Sequence, residues 1–142
     1  MYGVLDISVS GMVAQRTRQA SIAANYANKD VILNSEGVSE PYRARKVFFS
    51  PGDPSATTPF GRALGVHVSE IEEDQAPTQY KWEPDNPMAD KIGPHKGYVP
   101  MPNVNSVVEQ VNMMEASRAY EAIVAAAEAT KAMIASALRI LM

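Results

Sequence analysis

The chain has 142 residues, a formal net charge of −3 at pH 7 and no cysteine. This length suits one domain, the acidic balance argues against nucleic acid as the main partner, and the absence of cysteine excludes disulfides and thiolate chemistry. Hydrophobic residues make up 46% of the chain and aromatic residues only 7%, and many apolar positions are alanine, which buries little area per residue.

The chain shows neither a membrane span nor a cleaved signal at the level of sequence. No apolar run approaches the roughly 20 residues needed to cross a bilayer. The N-terminus has no basic region followed by a continuous apolar region, as a secretory signal would have. We therefore expect the protein to stay in the cytoplasm or to leave it by a route that reads no such signal.

The first stretch, residues 1–29, predicts an N-terminal helix from about Val4 to Asn28, because it has good helix formers and no proline. Gly11 lies inside this pattern and indicates either a close approach to a neighbouring backbone or a kink. An apolar seam runs along the helix, is interrupted at Arg16 and Gln19, and consists of Leu5, Val9, Met12, Ala23 and Tyr26.

The second stretch, residues 30–102, contains all ten prolines and most of the glycines. Short strands are predicted at Ala44–Ser50 and Gly65–Ile71, with a further candidate at Gln79–Trp82. Neither face of the Gly65–Ile71 candidate is cleanly apolar, which favours a small hairpin-like element over a deep sheet. We therefore do not expect this stretch to form a hydrophobic core by itself.

The third stretch, residues 103–142, has neither proline nor glycine from Asn105 to Met142 and predicts a helix of about 55 Å. Asn103 or Asn105 supplies the N-cap. Two neighbouring apolar seams run along this helix at steps of three and four. One includes Met113, Tyr120, Val124, Ile134, Leu138 and Leu141, and the other includes Ile123, Met133 and Ile140.

A helix of this length does not fit inside its own domain, because a globule of this mass is only about 30 Å across. The other predicted helix is shorter, so part of the apolar surface has to be covered by other chains. The predicted fold class is mainly α with a small β insertion. Long N- and C-terminal helices pair as a coiled coil and form one axial core domain, beside a short β-rich and Pro-rich middle segment.

Candidate chemical groups give no site. His67 and His95 lack metal-ligand spacing, and the acidic run from Glu70 to Asp74 lacks the loop pattern of a calcium site. No nucleotide-binding or nucleophile motif occurs. We therefore expect no catalytic residue, no metal, no cofactor and no small-molecule substrate.

Several ordered blocks carry a resemblance to a known family. They are Ser10–Arg16 with Ala24–Asn28, then Pro41–Arg43, Gly65–Val68 with Glu73 and Asp74, Gly97–Asn105, and Ala116–Ala122. In these blocks the chain resembles the axial proteins of the bacterial flagellum, and among them the proximal rod proteins of the FlgC type. It departs from their pattern at Tyr26, where isoleucine is common, in the link Asp30–Val38, and in the loop Lys91–Lys96.

The resemblance implies a structural subunit of the flagellar basal-body rod, which acts as drive shaft and export channel wall in motility, and not an enzyme. It implies export through the flagellar type III apparatus without a cleaved signal. Implied partners are further copies, sibling proximal rod subunits, the distal rod protein, the adaptor between rod and membrane ring, and the export apparatus.

The same resemblance places subunit contacts on the two end helices. The predicted interface comprises Leu5, Val9, Met12, Ala23, Asn25, Tyr26, Asn28, Met113, Tyr120, Ile123, Val124, Met133, Ile134, Leu138, Ile140 and Leu141. For Asn25 and Asn28, helix C-capping is an equally good interpretation. A cytoplasmic coiled-coil adaptor or export chaperone is the alternative function. It predicts a defined small oligomer, whereas a rod subunit is expected to be monomeric with disordered ends before assembly.

Overall fold

The computed structural model describes residues 2–141, with side chains from residue 3 to residue 140. In this range seven elements follow one another. They are α1 (Tyr2–Ala27), β1 (Arg45–Pro51), α2 (Pro59–Leu64), β2 (Val66–Glu73), β3 (Gln79–Trp82), β4 (Tyr98–Met101) and α3 (Ser106–Leu141). The helix-rich fold with long end helices and a small β region is therefore confirmed.

Asparagine side chains end α1 and begin α3. Asn28 donates from Nδ2 to the carbonyl oxygen of Ala24 over 2.8 Å, so it caps the C-terminus of α1. Asn105 caps the start of α3, because its Oδ1 accepts the backbone N–H of Val107 at 3.0 Å. Asn103, the other candidate cap, instead accepts the N–H of Ala44 at 2.8 Å and ties the middle segment to the start of α3.

The end helices pack antiparallel. Arg18 of α1 pairs with Glu115 of α3 at 3.0 Å, and Gly11 lies under Ile123, where an added Cβ would be 3.2 Å from Ile123 Cδ1. Gly11 therefore marks a close approach of the two helices, and α1 continues through it without a break. If this antiparallel pairing continues to the start of α1, Tyr2 lies beside about residue 132 of α3. The last turns of α3 therefore extend past α1.

The buried apolar side chains of the described range are mostly alanine. They are Ala14 and Ile22 of α1, Ala116 of α3, and Ala44, Ala89 and Val99 of the middle segment. Because alanine contributes little area, the contact between the end helices gains little from the hydrophobic effect. Hydrogen bonds with Asp6, Ser10 and Asn25 of α1 also join the middle segment to the helices.

The middle segment contains two antiparallel two-stranded sheets, β1–β2 and β3–β4. The register of β1–β2 shifts between Phe48 and Phe49. The three predicted strands occur with small changes at their ends. The strand β4 and the helix α2 were not predicted, because β4 contains Pro100 and α2 is only six residues long, with Pro59 at its start and Thr58 as its N-cap.

The β3–β4 hairpin depends on Gly97. This glycine has φ +83°, and a Cβ there would lie 2.6 Å from the ring of Trp82. We expect Gly97→Ala to lower the free energy of unfolding by about 2 kcal/mol, since it combines backbone strain with displacement of the ring. Trp82 is the single tryptophan of the chain, so its fluorescence emission should move to longer wavelength.

A matched control is available in the same loop. Gly93 also has a positive φ, +103°, but a Cβ added there would have no atom within 4 Å. Gly93→Ala should therefore lower the stability by about 1 kcal/mol through strain alone and leave the emission of Trp82 unchanged. Equal effects of the two substitutions on stability and emission would contradict the role of Gly97 in leaving room for the Trp82 ring.

Candidate subunit interface

The predicted interface residues fall into three groups by exposure. One is buried, Asn25. The half-buried ones are Leu5, Met12, Asn28, Met113, Tyr120, Ile123, Val124 and Ile134, and the exposed ones are Val9, Ala23, Tyr26, Met133, Leu138 and Ile140. The side chain of Leu141 lies outside the described residues. Apolar side chains thus line the outside of the helix pair as well as its contact.

The face of α1 that is buried differs from the predicted seam. It consists of Gly3, Ser10, Gly11, Ala14, Ser21, Ile22 and Asn25, of which only Ile22 is a large apolar residue. Small residues allow the backbones of two helices to approach closely, and their spacing by three and four was the signal in the sequence that could have identified this face. Because this face is turned inward, Val9 and Ala23 of the predicted seam remain exposed.

The second half of α3 is largely uncovered. From Ser117 to Ile140 no side chain is buried, although this segment carries both predicted seams. Leu138 is 50% exposed and Ile140 is 84% exposed. Exposed apolar rows of this kind on a long helix are typical of surfaces that bind another protein chain, a membrane or a ligand.

A shallow apolar groove of about 420 Å³ lies between α1 and α3 at the opposite end of the helix pair. Ile22, Ala23 and Tyr26 form its α1 side, and Met113 closes it from α3. The groove is open to solvent and is located where α1 ends and α3 begins. Apolar surface is therefore exposed at both ends of the helix pair.

Asn25 holds α1, α3 and β1 together. Its side chain is 2% exposed. Its Nδ2 donates to the carbonyl oxygen of Arg45 at 2.9 Å and to Glu109 Oε2 at 3.2 Å. Its Oδ1 accepts the backbone N–H of Arg45 at 2.8 Å and the hydroxyl of Tyr42 at 3.0 Å.

The C-capping interpretation is therefore wrong for Asn25, because its side chain binds groups of β1 and α3 instead of carbonyl oxygens of the last turn of α1, in which it lies. An amide is the one side chain that offers both two donors and an acceptor at this junction. Burial raises the pKa of the Tyr42 hydroxyl above its usual value, and the nearby Arg45 opposes this shift. Tyr42 thus stays protonated and able to donate to Asn25.

The two histidines and the acidic strand have structural roles or lie on the surface. Nδ1 of His67 is 2.6 Å from the carbonyl oxygen of Gly52, and His95 stacks on Tyr80 at 4.1 Å between ring centroids. Within residues 2–141 no three His, Asp or Glu side chains are grouped to hold a metal ion. Nor does any helix in this range have the length and apolarity needed to cross a membrane.

Comparison with known proteins identifies the family. Residues 95–140 match the family described as "Flagellar basal body rod FlgEFG protein C-terminal". A relative from Borreliella burgdorferi, named flagellar basal-body rod protein FlgC, is 37% identical over 150 residues that cover 99% of this chain and 97% of the relative. The Escherichia coli O6:H1 protein of the same name is 40% identical over 134 residues, covering 94% and 92%.

A third relative with this name, from Buchnera aphidicola of Acyrthosiphon pisum, is 35% identical over 140 residues, covering 99% of this chain and 97% of the relative. Alignment at these identities over nearly the whole length confirms the resemblance carried by the sequence blocks. The chain therefore belongs to the FlgC family of flagellar basal-body rod proteins and is a structural subunit of the flagellar rod.

Proposed function

We propose that this rod subunit assembles through the exposed apolar rows of α1 and α3, which further copies and sibling rod subunits cover. The single observation that carries the proposal is the second half of α3, where no side chain from Ser117 to Ile140 is buried within the chain. An isolated helix with two such rows is marginal in water, and contact with neighbouring helices stabilises it.

The two ends of the helix pair support contacts along one axis. The last turns of α3 project past α1 at one end, and the groove around Tyr26 and Met113 is open at the other. Two different surfaces at opposite ends favour a head-to-tail contact, which leads to helical assemblies rather than closed dimers. We propose that the coiled coil predicted for α1 and α3 is completed there by helices of neighbouring subunits.

This arrangement supports different positions in the rod for the end helices and the middle segment. Residues 1–29 and 103–142 form the axial core that lines the channel, and residues 30–102 face outward. The Asn25 hydrogen bonds support this division, because they join α1 and α3 to the first residue of β1 at a fixed point. The distal rod protein and the adaptor to the membrane ring are the proposed partners at the two ends of the proximal rod.

The protein reaches this location, in our proposal, through the flagellar type III apparatus without a cleaved signal, and it contributes no catalysis. A small buried core supports this route, because a chain with little buried apolar area unfolds readily for passage through a narrow channel. Membership of the rod family favours this role over a cytoplasmic adaptor or export chaperone.

Hydrogen exchange of the isolated subunit and of purified basal bodies tests the proposal. In the isolated subunit we expect amides of residues 133–141 to exchange as fast as those of a free helical peptide, because this segment extends past the start of α1. In basal bodies the same amides should be protected by at least about a hundredfold, which corresponds to about 3 kcal/mol. Strong protection of residues 133–141 in a stable monomer would refute the assembly role of this segment.

A further inference from the structure

The β3–β4 sheet has an aromatic outer face. Val99 of β4 is completely buried and faces the core. Side chains alternate along a strand, so Tyr80 and Trp82 of β3 share the opposite face with Tyr98 and Pro100 of β4. An antiparallel sheet normally exposes polar residues on its solvent side, whereas here Trp82 is 59% exposed.

The rings on this face are held in place within the hairpin. Trp82 lies on the backbone of Gly97, and its ring meets the ring of Tyr98 edge-on at 4.9 Å between centroids. Tyr80 stacks on His95 at 4.1 Å with an angle of 8° between the planes. A fixed and exposed aromatic surface loses little conformational entropy on binding, as at the centre of protein interfaces.

A basic loop borders the aromatic face. It runs from residue 91 to residue 96, contains Lys91 and Lys96 and no acidic residue, and carries Ile92, which is 91% exposed. Asp90 precedes the loop and is engaged through its backbone with Gly97 and Tyr98. Neither lysine forms an ion pair among the described residues.

The β1–β2 sheet carries the complementary surface. Glu70, Glu72 and Glu73 are exposed on β2 and form no ion pair among the described residues. Glu70 is paired across the sheet with Phe48, which is also exposed, so acidic and aromatic groups occur side by side. Of the cations on β1, Lys46 is already bound by Asp74 at 2.8 Å.

We propose that the aromatic face of β3–β4 docks on the β1–β2 sheet of a second copy of this chain. Lys91 and Lys96 would then meet Glu70 and Glu72, while Trp82 meets the region of Phe48. The two surfaces are different parts of one molecule, so the contact is heterologous and links copies side by side around the rod axis. The inference rests on the proposed assembly of the subunit and adds a lateral contact between the outward segments.

Single cysteines in separate copies test this contact, because the natural chain has none. Cells would coexpress Ile92→Cys in one tagged copy and Glu70→Cys in another, and purified basal bodies would be treated with a short bis-maleimide. We expect a cross-linked dimer that contains both tags. Each variant expressed alone should give at least about tenfold less dimer, because a heterologous contact does not bring identical positions together.

Glu36→Cys is the matched control, since Glu36 is an exposed acidic residue outside β1 and β2, and together with Ile92→Cys it should give no dimer. Absence of the mixed Ile92–Glu70 dimer in intact basal bodies would overturn the inference. A cross-link to a different protein, or equal dimer from Ile92→Cys alone, would overturn it too. If the subunit were missing from basal bodies altogether, the rod assembly itself would be refuted.

Reversing charges on the two proposed surfaces and measuring the same cross-link tests the contact in a second way. The double substitution Lys91→Glu and Lys96→Glu should lower the mixed cross-link about tenfold, because like charges then face one another. Adding Glu72→Lys to the copy that carries Glu70→Cys should restore part of the cross-link, because opposite charges then face one another again. Failure of Glu72→Lys to restore it would show that these charges do not meet, and the proposed contact would be wrong.

Discussion

Asn25→Asp is expected to lower the free energy of unfolding by about 3 kcal/mol at neutral pH. The substituted side chain has nearly the same shape, but it can no longer donate to the carbonyl oxygen of Arg45, and it places a second carboxylate at the position 3.2 Å from Glu109. Buried groups left without partners, and like charges in contact, are among the costliest single changes. Denaturant unfolding followed by circular dichroism measures the loss.

The pH dependence of this loss in stability distinguishes the contribution of charge repulsion from that of the lost hydrogen bonds. As the pH falls, one carboxyl of the pair takes a proton at a pH above the ordinary carboxylate value of about 4, because like charges oppose joint ionisation, and the deficit relative to the natural chain should shrink. Asn28→Asp is the control, because Asn28 only caps the end of α1 and its replacement should cost about 1 kcal/mol or less. Equal losses for both substitutions would contradict the central role of Asn25.

Leu138→Asp is expected to abolish rod assembly and motility while the subunit remains soluble and exportable. Leu138 is already exposed in the single chain, so a carboxylate there costs the monomer little. In the assembled rod the same carboxylate would be buried without a partner, which opposes association by several kcal/mol. Ile134→Asp should act in the same direction. Swimming assays, recovery of basal bodies and the amount of secreted subunit measure the three effects.

Ser136→Asp provides the matched control on the same helix. Ser136 is exposed and lies on neither apolar seam, so the added carboxylate should remain in water and leave motility intact. Motile cells carrying Leu138→Asp would count against α3 as the assembly surface. Loss of motility with both substitutions would show that added charge, rather than the apolar row, causes the defect.

The long elements could be predicted from the sequence because their determinants are local. The absence of proline and glycine after Asn105 defines α3, and the asparagine at its start supplies the cap. The strands β1, β2 and β3 were also found, since runs of β-branched and aromatic residues lie between turn signals. The short α2 and the proline-containing β4 lacked such signals and depend on what packs against them.

The candidate interface could be predicted only in part. The apolar rows of α3 are visible as steps of three and four residues, and the structure leaves them half-buried or exposed. The face of α1 turned toward α3 was missed, because its small residues carry no strong apolar pattern. The choice between a kink and a close approach at Gly11 also required knowing that Ile123 lies against it.

By itself, the sequence determined the family of the protein, its two long helices and the surplus of apolar surface on α3, because each depends on residues near one another in the chain. Only the tertiary structure decided which side of α1 is buried and that Asn25 joins three elements separated by up to 84 positions. It also decided that the rings of Tyr80 and Trp82 face outward. These features arise from contacts between distant residues, whose geometry no local pattern of side chains specifies.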